Sequence, residues 1–163
     1  MSCRCAGAVL EKGGSNALLK WASALEAEVV LMDADKVCGA DHLASAEFHA
    51  RRAFESGSNA ANTLGMEVIL YASGERQISK AKKKMGLHQG TERVAMVLLG
   101  PPEAELDEVL EELGLQRDDT LLECTLEKGE SYGIDPAELR TLGPEHLQEL
   151  VLEKVAFVDL LKR

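Results

Sequence analysis

Aromatic residues are scarce: one Trp, two Tyr and three Phe in 163 positions. So few ring faces argue against a protein that reads nucleic acid chiefly by stacking bases. No apolar run approaches the roughly 18 to 20 residues that span a bilayer, so no membrane helix is expected. The stretch MSCRCAGAVL is too briefly apolar for a secretory signal, and the expectation is a cytosolic protein. No Walker-type phosphate loop, no dinucleotide-binding glycine fingerprint and no G-x-S-x-G elbow occurs, so three large enzyme classes lack their signature. Low-complexity linkers and tandem repeats are absent as well. What is present, 45% apolar and 28% charged residues, is ordinary for a soluble globular chain. The length fits one domain over residues 1–163 with a real core.

Cysteine is sparse too. Cys3, Cys5, Cys38 and Cys124 make no zinc framework, because Cys3-x-Cys5 is tighter than the usual ligand spacing. Four free thiols in a reducing compartment, with no metal, are the expectation. Cys38, His42 and His49 can share a helix face, which keeps a metal site open beside the plainer reading of a small apolar thiol next to two partly exposed imidazoles.

Acidic charge dominates, with a formal net of −10, but it is unevenly spread. Residues 36–93 hold nine Lys/Arg against six Asp/Glu, whereas residues 94–163 hold six against seventeen. A uniformly acidic protein repels nucleic acid; a polarised one can offer it a local basic face.

The fold class expected is α+β. CRCAGAVLE (3–11) reads as a strand, Ser15 or Asn16 caps a helix to about Leu25, and EVVLMDA (28–34) reads as a second strand. The rhythm returns late, with RVAMVLLG (93–100) as strand, 101–114 as a helix with Pro102 in its first turn and Gly114 at its stop, and TLLECT (120–125) as strand. Between them, residues 36–88 carry only helical patterns. One sheet of about four strands, backed by helices, with a helical insertion over about 36–88 and a C-terminal helix, follows. That last helix starts near Pro144 and bears an apolar stripe of Leu147, Leu150, Val151, Val155, Val158 and Leu161, widened by Leu152 and Phe157.

Inside the insertion, an apolar helix of about 62–73 stops at Gly74, and a second helix is expected from about Glu75. At about 100° per residue, Ile78, Ala81 and Met85 face the core while Arg76, Lys80 and Lys83 share the opposite side, with Lys84 nearby and Lys82 at the core edge. Arg76 near the helix N-terminus adds to a site suited to phosphate. A solvated lysine face is the plain alternative. In the preceding helix, over 41–57, Phe48 stands off the core stripe beside Arg52, which suits either a stacked base or a partner protein.

NTLGMEVILYASGERQISKA (62–81), the HLASAEFHARRAF helix before it, GTERVAMVLLG after it and the terminal LEKVAFVDLLKR together resemble the small kinase-binding subunit of the KEOPS complex. The likeness covers most of the chain, is most specific in ASGxRQI and its basic helix, and in length is similar to the archaeal form. It implies a non-enzymatic protein without cofactor that binds the N-lobe of the complex's atypical kinase/ATPase. It also implies recruitment of tRNA through the single-stranded 3′ CCA end. The separate KEOPS catalytic subunit, reached only indirectly, installs N6-threonylcarbamoyl on adenosine 37. On that reading Arg76, Gln77, Lys80, Lys83, Lys84, Lys36, Arg52 and Asn62 are the RNA-binding candidates, with apolar pockets near Tyr71 or Ile78 to help, and Phe48 and Phe157 are candidates for partner contact. Two rivals stay open: a kinase adaptor with no RNA contact, and a magnesium enzyme using Asp33 and Asp35 at a strand end.

Overall fold

A computed structural model describes residues 3–11 and 13–162. Four strands form one sheet: β1 (Cys5–Leu10), β2 (Glu28–Asp33), β3 (Arg93–Gly100) and β4 (Leu115–Arg117), in the order β2-β3-β1-β4. Every neighbouring pair is antiparallel, with Cys5 opposite Val97, Ala8 opposite Arg117 and Val30 opposite Val97. Helix α1 (Ser15–Ala24) links β1 to β2 across the intervening β3, and α5 (Leu106–Glu112) links β3 to β4 across β1. Two interlocked split β-α-β units of this kind make a ferredoxin-like core. Helices α2 (Ala40–Ser56), α3 (Leu64–Ser73) and α4 (Ile78–Met85) are inserted between β2 and β3. Helices α6 (Leu126–Tyr132), α7 (Pro136–Leu142) and α8 (Leu147–Leu161) follow β4.

The α+β class, the four-strand sheet, the inserted helices and the C-terminal helix agree with the reading of the sequence. Strand alternation explains the two-sided core. On β3, Val94, Met96 and Leu98 join Leu18 of α1 and Leu113 beyond α5 in one buried cluster. The alternate residues Ala95, Val97 and Leu99 join Leu43, Leu70, Tyr71 and Val151 from α2, α3 and α8 in the other. With helices on both faces, β3 reads as an unbroken apolar run rather than an alternating one.

Three expectations need correction. Residues 120–125 are not a strand: Asp118 accepts the Thr120 N–H at 3.1 Å and turns Asp119–Leu122 into a 3-10 segment, while the fourth strand is the short Leu115–Arg117. That segment lies so close under β1 that a Cβ on Gly7 would stand 2.5 Å from the Asp118 carbonyl oxygen, so only glycine fits. The helix expected from 101 begins at Leu106, because Pro101, Pro102 and Ala104 give their carbonyls to the Arg4 guanidinium instead. And two of the four cysteines are not free: Cys38 and Cys124 form a disulfide that ties the start of α2 to this same segment, while Cys3 and Cys5 are unbonded. No described helix is long and apolar enough to cross a membrane.

Candidate functional site

Thr63 caps α3 by accepting the Met66 N–H, and Gly74 ends it in the left-handed conformation at φ 72°. A side chain at Gly74 would be strained twice over, since its Cβ would also lie 2.9 Å from the Tyr132 hydroxyl. The chain bends at Arg76 and Gln77, and α4 starts at Ile78. Arg76 therefore stands just before the helix, not in its first turn. Gln77 occupies the N-cap position without a side-chain capping bond.

Ala81 and Met85 of α4 are fully buried. Opposite them, Arg76, Lys80 and Lys83 are exposed, as is Lys82, and none of the four makes an ion pair among the described residues. Lys82, expected to snorkel from the core edge, belongs to this free row. Lys84 does not. Its ammonium donates to the Ser73 carbonyl at 2.7 Å, sits 3.7 Å from the Tyr132 ring centroid and lies 3.9 Å from Glu75. Burial pushes its pKa down to about 8. A cation on the last carbonyl of α3 is a helix-terminating contact.

Two more candidates are engaged within the fold. Lys36 donates to the Ser131 carbonyl at 3.0 Å. Arg52 lies 5.4 Å from the Phe48 ring centroid and bonds Asp159 of α8 at 2.9 Å. Asn62 is exposed next to the Thr63 cap. The pocket expected beside Tyr71 is closed: its ring is stacked on His49 at 5.4 Å, and its hydroxyl donates to Asp159 and accepts from Lys162. The structure thus leaves Arg76, Gln77, Lys80, Lys83 and Asn62 available, adds Lys82, and takes Lys84, Lys36 and Arg52 into internal contacts.

A family model described as kinase binding protein CGI-121 matches residues 13–158. A curated relative, the regulatory protein Cgi121 of Methanocaldococcus jannaschii, is 30% identical over 132 residues, covering 81% of this chain and 83% of its own length. The chain belongs to the CGI-121 family. Within the family frame, the matched span takes in all of α4 and α8 as far as Val158, so Phe157 lies inside it and Leu160 and Leu161 beyond it.

That end of α8 carries the second set of candidates. Phe157, Leu160 and Leu161 are 49%, 58% and 42% exposed on its outer side, and Phe48 of α2 is 46% exposed. Leu161, expected in the core stripe, is therefore on the outside. The inner side is held by a polar cluster that sequence reasoning missed. Lys162, nearly buried, donates to the wholly buried Glu67 and to the Tyr71 hydroxyl. Glu67 also accepts the backbone N–H groups of Ala60 and Ala61. The signal for it was a lone Glu in an otherwise apolar helix.

The remaining candidates are structural. Asp35 is clasped by Arg93 at 2.6 and 2.8 Å, which holds its carboxyl below the usual range. Asp33 is buried, accepts the Asp35 N–H and faces His88 at 3.2 Å. Neither presents a free carboxylate. His42 is fully buried: the Cys38 N–H donates to its Nδ1, so Nε2 donates to the Ala72 carbonyl at 2.8 Å. Burial pushes its pKa down to about 4. It is neither a partly exposed imidazole nor part of a metal centre, and among the described residues no three His, Cys, Asp or Glu converge to hold a metal.

Proposed function

We propose that this protein is a non-catalytic, kinase-binding subunit of a KEOPS-type assembly. In this reading it engages the kinase/ATPase N-lobe and recruits tRNA by its single-stranded 3′ CCA end, in support of N6-threonylcarbamoyladenosine formation at position 37. The observation that carries the RNA part is a set of exposed cations, Arg76 just before α4 and Lys80, Lys82 and Lys83 along it, none with an ion pair among the described residues, in a chain of net charge −10. Single-stranded ends are held by cations on phosphates and by hydrogen bonds to unstacked bases, for which Gln77 and Asn62 are at hand. The family description supports the kinase partner. Exposed Phe48, Phe157 and Leu160 offer the apolar anchors such a contact needs.

The test is binding of the isolated protein to a full-length tRNA and to the same tRNA trimmed of CCA, at two salt concentrations. Loss on trimming, with a slope of roughly −0.7 per phosphate contact, is expected. Equal binding overturns direct 3′-end recognition, and absent binding leaves the second reading, a kinase adaptor without RNA contact. The apolar outer side of α8 is what favours that reading. Arg76→Glu with Lys83→Glu separates the two: both readings keep kinase binding, and only the first loses tRNA.

A further inference from the structure

Two of the four cysteines are unbonded, and they are neighbours. The sheet ladder reaches back beyond β1, since the Leu98 N–H donates to the Arg4 carbonyl at 2.8 Å. Cys3 and Cys5 flank that extended residue, so their side chains leave one face. Both are partly exposed and pack against the buried cluster that holds Val97 and Leu99. Beside them stands a buried oxygen without a partner. Glu47 of α2 is 9% exposed; its Oε2 accepts from Arg51 at 2.7 Å, while its buried Oε1 accepts no hydrogen bond among the described residues. Arg51 also donates to the Leu99 carbonyl at 2.7 Å, which sets this turn of α2 over the end of β3 that Arg4 pairs with. A buried acceptor left unsatisfied is rare in a folded protein and calls for a reason.

The two sulfurs are unequal. The hydrogen bond that Cys3 donates to the Cys5 sulfur pushes the Cys3 thiol far up, and burial and the Glu47 carboxylate push it further. The same bond draws the Cys5 thiol down, against its burial. Cys5 therefore has the thiolate character, and Cys3 keeps the proton. A thiolate within reach of solvent and next to a second thiol is the arrangement that reacts with peroxides and then closes a disulfide. Two residues of extended chain separate Cα atoms by about 6.6–7.2 Å, at the outer limit for a disulfide. Cys3 precedes β1, so it is the residue that draws in. A bridge at that limit is easily reduced again.

We infer that Cys3 and Cys5 form a peroxide-reactive dithiol, with Cys5 as the attacking sulfur, Cys3 as the resolving one and Glu47 Oε1 as acceptor for the Cys3 proton. The Cys5 sulfur attacks one oxygen of a hydroperoxide; an S–O bond forms, the O–O bond breaks, and Cys5 becomes a sulfenic acid as water or an alcohol departs. Cys3 then gives up its proton and attacks that sulfur; the S–S bond forms, the S–O bond breaks and water departs. The peroxide gains the two electrons that the thiols lose. The site is separate from α4 and from the outer side of α8, and it stands without the tRNA or kinase readings.

The experiment treats the full chain with hydrogen peroxide and follows thiol loss, dimedone trapping and peptide mapping of the bridges. Expected are both thiols lost per peroxide consumed, a Cys3–Cys5 bridge that a mild thiol reductant reverses, and an unchanged Cys38–Cys124 bridge. Cys3→Ser should stop at a dimedone-trapped sulfenic acid on Cys5, and Cys5→Ser should lose thiol at least about tenfold more slowly than the parent. Glu47→Gln should not slow the first step and should prolong the sulfenic acid. Thermal melts check that each variant folds. Thiol loss no faster than that of free cysteine, a bridge to Cys38 or Cys124 or between two chains, or equal rates in the parent and Cys5→Ser overturns the proposal. Resolution at the parent rate by Glu47→Gln overturns the part given to Glu47.

Discussion

On α4, Lys80, Lys82 and Lys83 are exposed and have no ion pair among the described residues, whereas at the end of α8 Lys162 is nearly buried and bonded to Glu67 and Tyr71. Both helices bear lysines at similar spacing from a buried stripe, so spacing does not separate the two uses. What separates them is the neighbour. Lys162 meets a carboxylate removed from water, and Lys84 meets a ring and a helix-terminal carbonyl. The exposed lysines of α4 meet no such neighbour among the described residues. A cation that repairs a buried charge belongs to stability, and one left without a partner in an acidic molecule is free for a ligand.

The strongest way to break this contrast is Lys162→Met. Glu67 would keep its two backbone donors but lose its counter-charge, and removal of one partner of a buried pair typically costs about 3–5 kcal/mol. Urea unfolding should show that loss, and adding Glu67→Gln should recover part of it. A change within about 0.5 kcal/mol would mean that the α8 end is not held as described. A second large effect is pH-dependent. Burial pushes the His42 imidazole down to about 4 from its ordinary value of 6.5. The unfolded chain therefore binds more protons between these values, and stability falls as pH drops through that window, by roughly 3 kcal/mol. The slope should be absent from His42→Gln, whatever that variant's overall stability.

Lys84→Met should cost less, about 1–2 kcal/mol, since a partly exposed ammonium gives up one hydrogen bond and one ring contact. Smallest is Arg76→Glu with Lys83→Glu, expected to leave unfolding within about 0.5 kcal/mol of the parent while removing any phosphate affinity of this surface. If that pair unfolds the protein, the row is structural and the contrast fails from the other side.

Much of the architecture was legible because its signals are local. The strand at Arg93–Gly100 and the break at Gly74 were read to the residue, since a continuous apolar run and a lone left-handed glycine need no tertiary context. The exposure of Lys80 and Lys83 was legible from helical geometry for the same reason, whereas Arg76 lies before α4 and outside that geometry. Lys84 and Lys82, each beside those two lysines, were exchanged because only the tertiary neighbour Tyr132 decides which one turns inward. Arg52 and Lys36 were drawn off by Asp159 and Ser131, more than 90 residues away in each case (|i−j| 107 and 95). Pairing of Cys38 with Cys124 across 86 residues has no local signature either. The three-residue strand Leu115–Arg117 is too short to carry a period, and the apolar TLLECT beside it took its place in the reading.

The strand order has a consequence for the order in which the chain can organise itself during synthesis. β1 and β2, made first, are not neighbours and gain no ladder partner in each other; both wait for β3, whose residues pair with Cys5–Val9 and with Glu28–Asp33. Until Arg93–Gly100 has left the ribosome, the first two strands lack their ladder partner and the inserted helices have only one another and β2 to pack on. Loop closure over so long a span is a slow, late step. The nascent chain therefore carries two unpaired apolar strands through most of its translation, and the strand that seals them is also the one that splits the core in two.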